Sequence, residues 1–487
     1  MPLSGRNLLP PPLPQSQPRR AVPESPMGAF GSDFIVNTDS ATLHHEPAIA
    51  IDPLDPNRIL ASSNNYAAGA NAYYYLSTNG GSTWSEGSLC CVTGGGDGWV
   101  AFDKLRHGYL IEGEPSGTFI GRLLASNTWE SVNQLASNAP LNTGGLASDK
   151  SFVAVDQTNG AYANRVYAAW MTYINDTNSN VNWIVLRYAD ANTFPTFSPV
   201  ITVSPSFSTI NSWVWIAVGA DSAVYVAYVT YYPPNKVNQY ILVSKSMDGG
   251  VSFTQTYTIS ASYPANWNSF YARSQLVGAI SNGSPQHFIV NNGPQLVTHP
   301  TDPNKLAVVW MDGYACPTPT TCTNTHIVSS YSTNGGATWS SPMVVNDDGD
   351  AGGRDHFFPA LAVGPDGVLH ASWYDRRQSL NCANPFLYNE LYGFSTDWGQ
   401  TWSRNARVST ASSDPANPMY NSSQPDPLAL FIGDYSGIAV AADNSIVMPA
   451  WTDARSGKQN IFAARAAPAV STPLMTNHCY FFPAIFR

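Results

Sequence analysis

The sequence predicts an all-β fold: a seven-bladed β-propeller of four-stranded antiparallel blades, its ring closed by an N-terminal strand. Three observations carry this. The first is an eight-residue phrase written four times, as Ser77-Thr-Asn-Gly-Gly-Ser-Thr-Trp84, Ser246-Met-Asp-Gly-Gly-Val-Ser-Phe253, Ser332-Thr-Asn-Gly-Gly-Ala-Thr-Trp339 and Ser395-Thr-Asp-Trp-Gly-Gln-Thr-Trp402. The second is an upstream pattern of two short apolar strands, seen seven times, beginning at Glu46, Asp97, Asp149, Ser212, Gly293, His356 and Asp434. The third is spacing: units of roughly 50 to 80 residues hold four short strands each, the signature of a propeller blade with its loops. A six-bladed ring is the runner-up, because the first two units are short.

Each unit is read as strands A to D from the axis outward. The upstream pattern supplies A and B. The phrase is the turn from C to D: Asx-Gly favours a tight hairpin, the short polar side chain bonds turn amides, and Gly accepts positive φ. Asn replaces Asp in two copies, so negative charge is not needed there, which points to a structural turn. Unit two carries a worn version at Ser126-Asn-Thr-Trp129, and unit three another at Ala189-Asp-Ala-Asn192. The seventh unit ends at Asn460–Arg465 and lacks a D strand. Asp33-Phe-Ile-Val-Asn37 resembles the D strands, so the N-terminus is expected to complete the last blade and remove an exposed edge.

Composition agrees. Of 487 residues, 43% are hydrophobic and only 11% charged, with Gly 37, Pro 37, Tyr 25 and Trp 14. Turn formers with aromatics suit many short strands, and no long helical period is visible. Residues 1–27 are Pro-rich and read as disordered, 28–467 as the propeller and 468–487 as a tail. The net charge of −10 is spread without a basic stripe, which excludes nucleic acid as a partner. No run approaches the ~20 apolar residues of a membrane span. Residues 1–27 contain no apolar h-region, while low Lys content and the architecture point to a secreted or cell-surface monomer. Cys316 and Cys322 flank a short loop and are placed to close a small disulfide.

In a propeller, the start of A and the end of B share one face near the axis, and the C–D turns fall on the other. Function is therefore sought among A starts (His44, His45, Glu46; Asp97; Asp149, Lys150; Arg354, Asp355, His356; Asp434, Tyr435) and B ends (Asp312; Tyr374, Asp375, Arg376, Arg377; Asp453, Arg455). Carboxylates, arginines and tyrosines converging on one funnel suit carbohydrate chemistry: paired carboxylates for acid/base and nucleophile, arginine forks for an acidic sugar. Asp149, Asp375, Asp434, Tyr435 and Glu46 are the candidate catalytic groups. Arg354, Arg376, Arg377, Arg455, His356 and Tyr374 are the candidate substrate-binding groups. No cofactor is expected; Asp347-Asp348-Gly-Asp350 offers carboxylates for a calcium ion without a full ligand spacing.

The four Ser-x-Asx-x-Gly-x-Ser/Thr-aromatic phrases resemble the Asp-boxes, or bacterial neuraminidase repeats, of the sialidase superfamily. The blocks His356-Phe-Phe-Pro-Ala, Ser372-Trp-Tyr-Asp-Arg-Arg377, Gly433-Asp-Tyr-Ser-Gly and Trp451-Thr-Asp-Ala-Arg455 resemble bacterial exo-α-sialidase-like proteins. This resemblance implies a glycoside hydrolase acting on exposed sugars of extracellular glycans. It implies Arg354, Arg376, Arg377 and Arg455 as a carboxylate clamp, Tyr435 as nucleophile with Glu390 or Glu46 as its base, and Asp149 or Asp97 as the acid. The first inner strand begins Glu46-Pro where the family has Arg-Ile-Pro. Two other functions fit the same funnel: a non-catalytic propeller that binds glycan or protein, and a polysaccharide lyase on uronate polymers using His45, His356, Tyr374 and Arg376.

Overall fold

Alternating short strands and Asx-Gly turns leave each sheet with one answer: stack its faces on neighbouring sheets around an axis. The computed structural model describes residues 27–39, 43–65, 71–89, 96–114, 116–138, 145–174, 182–204, 210–231, 239–262, 267–268, 273–281, 284–291, 293–312, 325–349, 355–377, 387–414 and 429–468. The regular elements among them are all β-strands.

Seven blades form the ring. Their inner strands are His44–Asp52, Gly96–Phe102, Leu146–Val155, Ile210–Val218, Gln295–Thr298, His356–Val363 and Gly437–Val440. Each packs on the next, and the seventh packs on the first, so the circle is closed. Core clusters lie between adjacent sheets. One joins Ile49, Ile59 and Tyr75 of blade 1 to Met448, Ala450 and Ile461 of blade 7. Closure is tight enough that a Cβ on Gly437 would sit 3.1 Å from the Pro47 carbonyl oxygen.

The N-terminal expectation holds. Phe34–Ile35 pairs antiparallel with Asn460–Ala463 as the outer strand of blade 7. Ala466–Pro468 and Met27–Phe30 then extend that sheet. The expected disordered segment up to residue 26, the tail from residue 469, and all the cysteines lie outside the described residues.

The turn phrases behave alike in four blades. The Ser Oγ accepts from the backbone N–H of the Gly four residues on, at 2.9 Å for Ser77, 2.9 Å for Ser246, 3.0 Å for Ser332 and 2.8 Å for Ser395. The Asx Oδ1 accepts the N–H of the following Ser or Thr in each copy. They are structural turns.

One element was not legible in advance. Between blades 4 and 5 the chain builds an additional sheet from Trp267–Asn268, Arg273–Ser281 and Ser284–Asn291, joined in parallel by Ala429–Leu430. Its ends lead into Gly293 and Asp434, at the A-start face.

Candidate functional site in the axial cleft

A second repeat, invisible as a motif, sets the site. Five inner strands contain a bulge at the same place: two residues lack a cross-strand partner between His45 and Ala48, Gly96 and Trp99, Asp149 and Phe152, Ser212 and Trp215, and Phe357 and Ala360. The first bulged residue has a left-handed backbone each time: Glu46 (φ 62°), Asp97 (55°), Lys150 (52°), Trp213 (61°) and Phe358 (50°). Non-glycine residues in this region are strained, and such strain gathers at functional positions. Bulges also re-aim side chains. Gly433 (φ 95°) makes room for the first of them, since a Cβ there would meet Glu46 at 2.9 Å.

The bulged residues divide by chemistry. Blades 1, 2, 3 and 7 bring Glu46, Asp97, Lys150 and Asp434 together. Lys150 Nζ donates to Asp97 Oδ2 at 2.7 Å and to Asp434 Oδ2 at 2.8 Å, stands 4.0 Å from Asp149 Oδ1, and lies 4.9 Å above the Trp213 ring. Asn64 donates to Glu46 Oε2. Trp99, Phe152 and Trp215 pack face and edge with centroids 4.4–4.8 Å apart. An open cleft is lined by Asp97, Lys150, Asp434 and Tyr435 together with Trp99, Trp213, Trp215 and Phe358, with Trp213 under the Lys150 ammonium and Trp99 against Tyr435.

The carboxyls are pushed apart in acidity. Burial, reinforced by the charge of Asp97, raises Glu46 well above the ordinary range. Burial raises Asp149 to about 7, with Lys150 opposing and Asp97 adding. For Asp97, burial alone would do the same. The Lys150 charge and hydrogen bonds with Glu46 and Asp149 overcome it and hold Asp97 well below the usual carboxylate value. Burial also works against the Lys150 charge, yet Asp434 and Asp97 keep its pKa well above that of a free lysine. At neutral pH the cluster therefore holds an ionised Asp97 with a protonated Glu46, while Asp149 is near the middle of its titration.

Tyr435 lines the cleft, but its hydroxyl donates to the Gly98 carbonyl at 3.2 Å. Burial, with the charges of Glu46 and Asp97, puts its pKa well above the ordinary tyrosine value. Glu390, one expected base for it, sits instead in strand C of blade 6, fully buried, with burial raising its pKa well above normal. His45 is buried edge-on to Phe431 and held neutral by burial, which lowers its pKa to about 3.

The other expected groups share the face but not the cleft. His356 and Asp375 form a sealed cluster in blade 6. His356 Nε2 lies 3.1 Å from Asp348 and 3.2 Å from Asp375, and its Nδ1 donates to the Thr325 carbonyl. Arg377 closes it, at 2.8 Å from Asp375 and paired with Asp347. Asp347 and Asp348, the two described carboxylates of the suggested calcium loop, are thus engaged by protein cations; Asp350 lies outside the described residues. Arg376 pairs with Asp355 at 2.5 Å, and Arg455 with Asp453 at 2.6 Å and Asp33 at 2.8 Å. Tyr374 accepts the Thr452 N–H at 2.6 Å and stacks on Tyr388. These residues are taken up by blade structure, so the expected single funnel resolves into a cleft and separate ion pairs. Arg354 lies outside the described residues.

The B-end arginines follow a local rule. Trp310, Trp373 and Trp451 each donate their indole N–H to the Asp two residues on, at 2.9–3.0 Å. Arg377 and Arg455 then fork onto that same Asp. The Trp-x-Asp-x-Arg spacing signalled this. Lys150, Trp213 and Phe358 were missed as site residues. The bulged pairs, Glu46-Pro, Asp97-Gly, Lys150-Ser, Trp213-Val and Phe358-Pro, lie within the inner strands and have no residue type common to all five, so no sequence signal marks them.

No family model and no curated sequence relative matches the chain. Solved structures similar to it include an α-L-arabinofuranosidase of Fusarium graminearum in complex with arabinobiose, at 12% identity and TM-score 0.45, over 90% of this chain and 98% of that one. They include a polysaccharide lyase, an ulvan lyase, at 8% and 0.44, over 71% and 78%. They also include the Trypanosoma rangeli sialidase with the inhibitor DANA, at 10% and 0.38, over 91% and 60%.

Proposed function

We propose that the axial cleft binds an exposed sugar of an extracellular glycan and that the chain hydrolyses its glycosidic bond. One observation carries this reading. Asp97, held ionised, borders a cleft lined by tryptophan, and Asp149, a carboxyl raised to about 7, stands 4.0 Å from Lys150 Nζ just outside the lining residues. Carboxyls driven apart in acidity are the arrangement glycosidases use. Asp149 would protonate the leaving oxygen, and Asp97 would stabilise or attack the anomeric carbon. The tryptophans would take the apolar face of the sugar ring. Asp97 and Asp149 act directly on each other's acidity, so turnover needs the substrate to come between them. An acidic sugar, as the sialidase resemblance implies, would further need a cation free to meet its carboxylate.

A second reading has its own support. Asp97 and Asp434 are both bonded to Lys150, an arrangement that suits a non-catalytic sugar-binding propeller equally well. The lyase reading is weaker, because His356, Tyr374 and Arg376 are held inside the blades. Fluorogenic glycosides, sialosides included, together with glycan-array binding, separate these. Release of the fluorophore that disappears in Asp149→Asn supports hydrolysis. Array binding with no release from any glycoside leaves only the binding reading, and an ultraviolet-absorbing unsaturated product would replace both by a lyase.

A further inference from the structure

Resting on the reading that the ligand is a saccharide, we propose that the cleft selects an uncharged sugar and excludes a carboxylate-bearing one. Among the described residues, Lys150 is the only cation bordering the cleft. An ammonium has three N–H donors. Two reach Asp97 and Asp434 at 2.7 and 2.8 Å, and the remaining side of the group faces Trp213. Its side chain is only 6% exposed. A ligand carboxylate would have to displace one of these aspartates while approaching the other. The arginines that would otherwise receive it, Arg376, Arg377 and Arg455, are committed to Asp355, Asp375 and Asp453. Trp99, Phe152, Trp213, Trp215 and Phe358 supply ring surface to the cleft, which suits the C–H face of a neutral pyranose or furanose, and its other polar lining residues, Ser151 and Gln295, are uncharged.

Asp97 is where this selectivity can be undone. It is the more exposed of the two Lys150 partners, 17% against 0% for Asp434. Asn tolerates its left-handed backbone, so Asp97→Asn removes a negative charge and releases one Lys150 donor without new strain.

The experiment is calorimetric titration of the full chain at low ionic strength with matched pairs: lactose against 3′-sialyllactose, and phenyl glucoside against phenyl glucuronide. The neutral member is expected to bind at least about tenfold more tightly, and the gap is expected to close or invert in Asp97→Asn. It should also narrow in wild type as salt rises from about 0.01 M to 0.5 M, since the repulsion is screened; this arm needs no variant to fold. Equal or tighter binding of the acidic member overturns the selectivity and leaves the saccharide reading standing. A gap insensitive to both salt and Asp97→Asn overturns the charge argument. Binding of neither member of any pair overturns the saccharide reading together with this one.

Discussion

Lys150 and His356 are both buried cations held between aspartates at inner-strand tips, on the same face of the ring, yet only Lys150 borders open space. The difference begins in the backbone. His356 lies in register opposite Asp375, so its ring stays within the sheet stack, where Asp348, Asp375, Arg377 and the Thr325 carbonyl surround it. Lys150 is a bulge residue with φ 52°, so it leaves the ladder and turns to the axis. Both clusters shift pKa values strongly. Perturbed acidity alone would have named either as a site; the bulge and the cleft decide between them.

The largest expected effect sharpens this contrast. Asp375→Asn strips the charge that His356 and Arg377 both need, and weakens the acceptor for the Trp373 indole. His356 keeps Asp348, and Arg377 keeps Asp347 and Asp348, so the cost is expected to reach at most the roughly 3–5 kcal/mol of breaking a buried pair, measurable by urea denaturation. Asp97→Asn, at a side chain 17% exposed and with Lys150 still held by Asp434, should cost about 1–2 kcal/mol. The contrast breaks if the two variants exchange places.

Catalysis should rank the other way. Asp149→Asn removes the proposed proton donor and is expected to lower turnover about 10²–10⁴-fold, with the denaturation midpoint close to wild type. Loss of activity only in parallel with loss of fold would assign Asp149 to the structure instead.

The two clusters also part with pH. His356 is pushed up from 6.5 to about 10, because Asp375 and Asp348 outweigh the burial that opposes its charge. A histidine raised in the folded state contributes stability that is complete below its unfolded value and lost as pH climbs through the folded one. Stability should therefore fall between pH 6.5 and 10, and His356→Gln should flatten that limb. Asp348 is shifted down from 3.8: burial opposes this, but His356 wins. Its contribution is present above pH 3.8 and lost as acid passes below. Asp149 carries the opposite sign. Raised from 3.8 to about 7 by burial, it makes folding less favourable as pH rises from 3.8 to 7, the penalty being complete above 7, and turnover that needs its proton should decline above that pH. A turnover profile flat from pH 6 to 8 would remove Asp149 as the acid.

How far the sequence reached follows the same division. Blade number, the C–D turns and the closing strand at Phe34–Ile35 were legible because they rest on local chemistry that repeats: Asx, Gly and the aromatic at fixed offsets, or an apolar pattern like its neighbours. Gathering of Glu46, Asp97 and Asp434 at one face followed from the topology of strands A and B. What was not legible is which A-start residue turns inward. That depends on a two-residue break in ladder pairing, so Lys150 was named among the A starts without a role of its own, and Trp213 and Phe358 were given none. The arginines misled for a related reason. Arg376, Arg377 and Arg455 look like substrate clamps by type, but Asp375 and Asp453, two residues before Arg377 and Arg455, claim those two, and Asp355, just ahead of the neighbouring inner strand, claims Arg376. The additional sheet was missed because its last strand, Ala429–Leu430, comes from far along the chain.

The smallest effects belong to the opposite face and act as the control for both clusters. Ser332→Ala removes the acceptor of the Gly336 N–H, worth about 1 kcal/mol. Asn334→Asp should cost less than about 0.5 kcal/mol. In the Asn copies the amide Nδ2 donates to the Thr hydroxyl, at 2.8 Å for both Asn79 and Asn334. In the Asp copies the hydroxyl rotates and donates to Oδ2, at 2.6 Å for Ser252 and Thr401. The bond survives with its direction reversed, and Oδ1 keeps the backbone N–H in either case. A double Asn79→Asp, Asn334→Asp chain should thus unfold with wild type in urea and bind sugar unchanged. If sugar affinity moved with these distant charges, the cleft would be sensing the field of the whole ring rather than the few groups around Lys150.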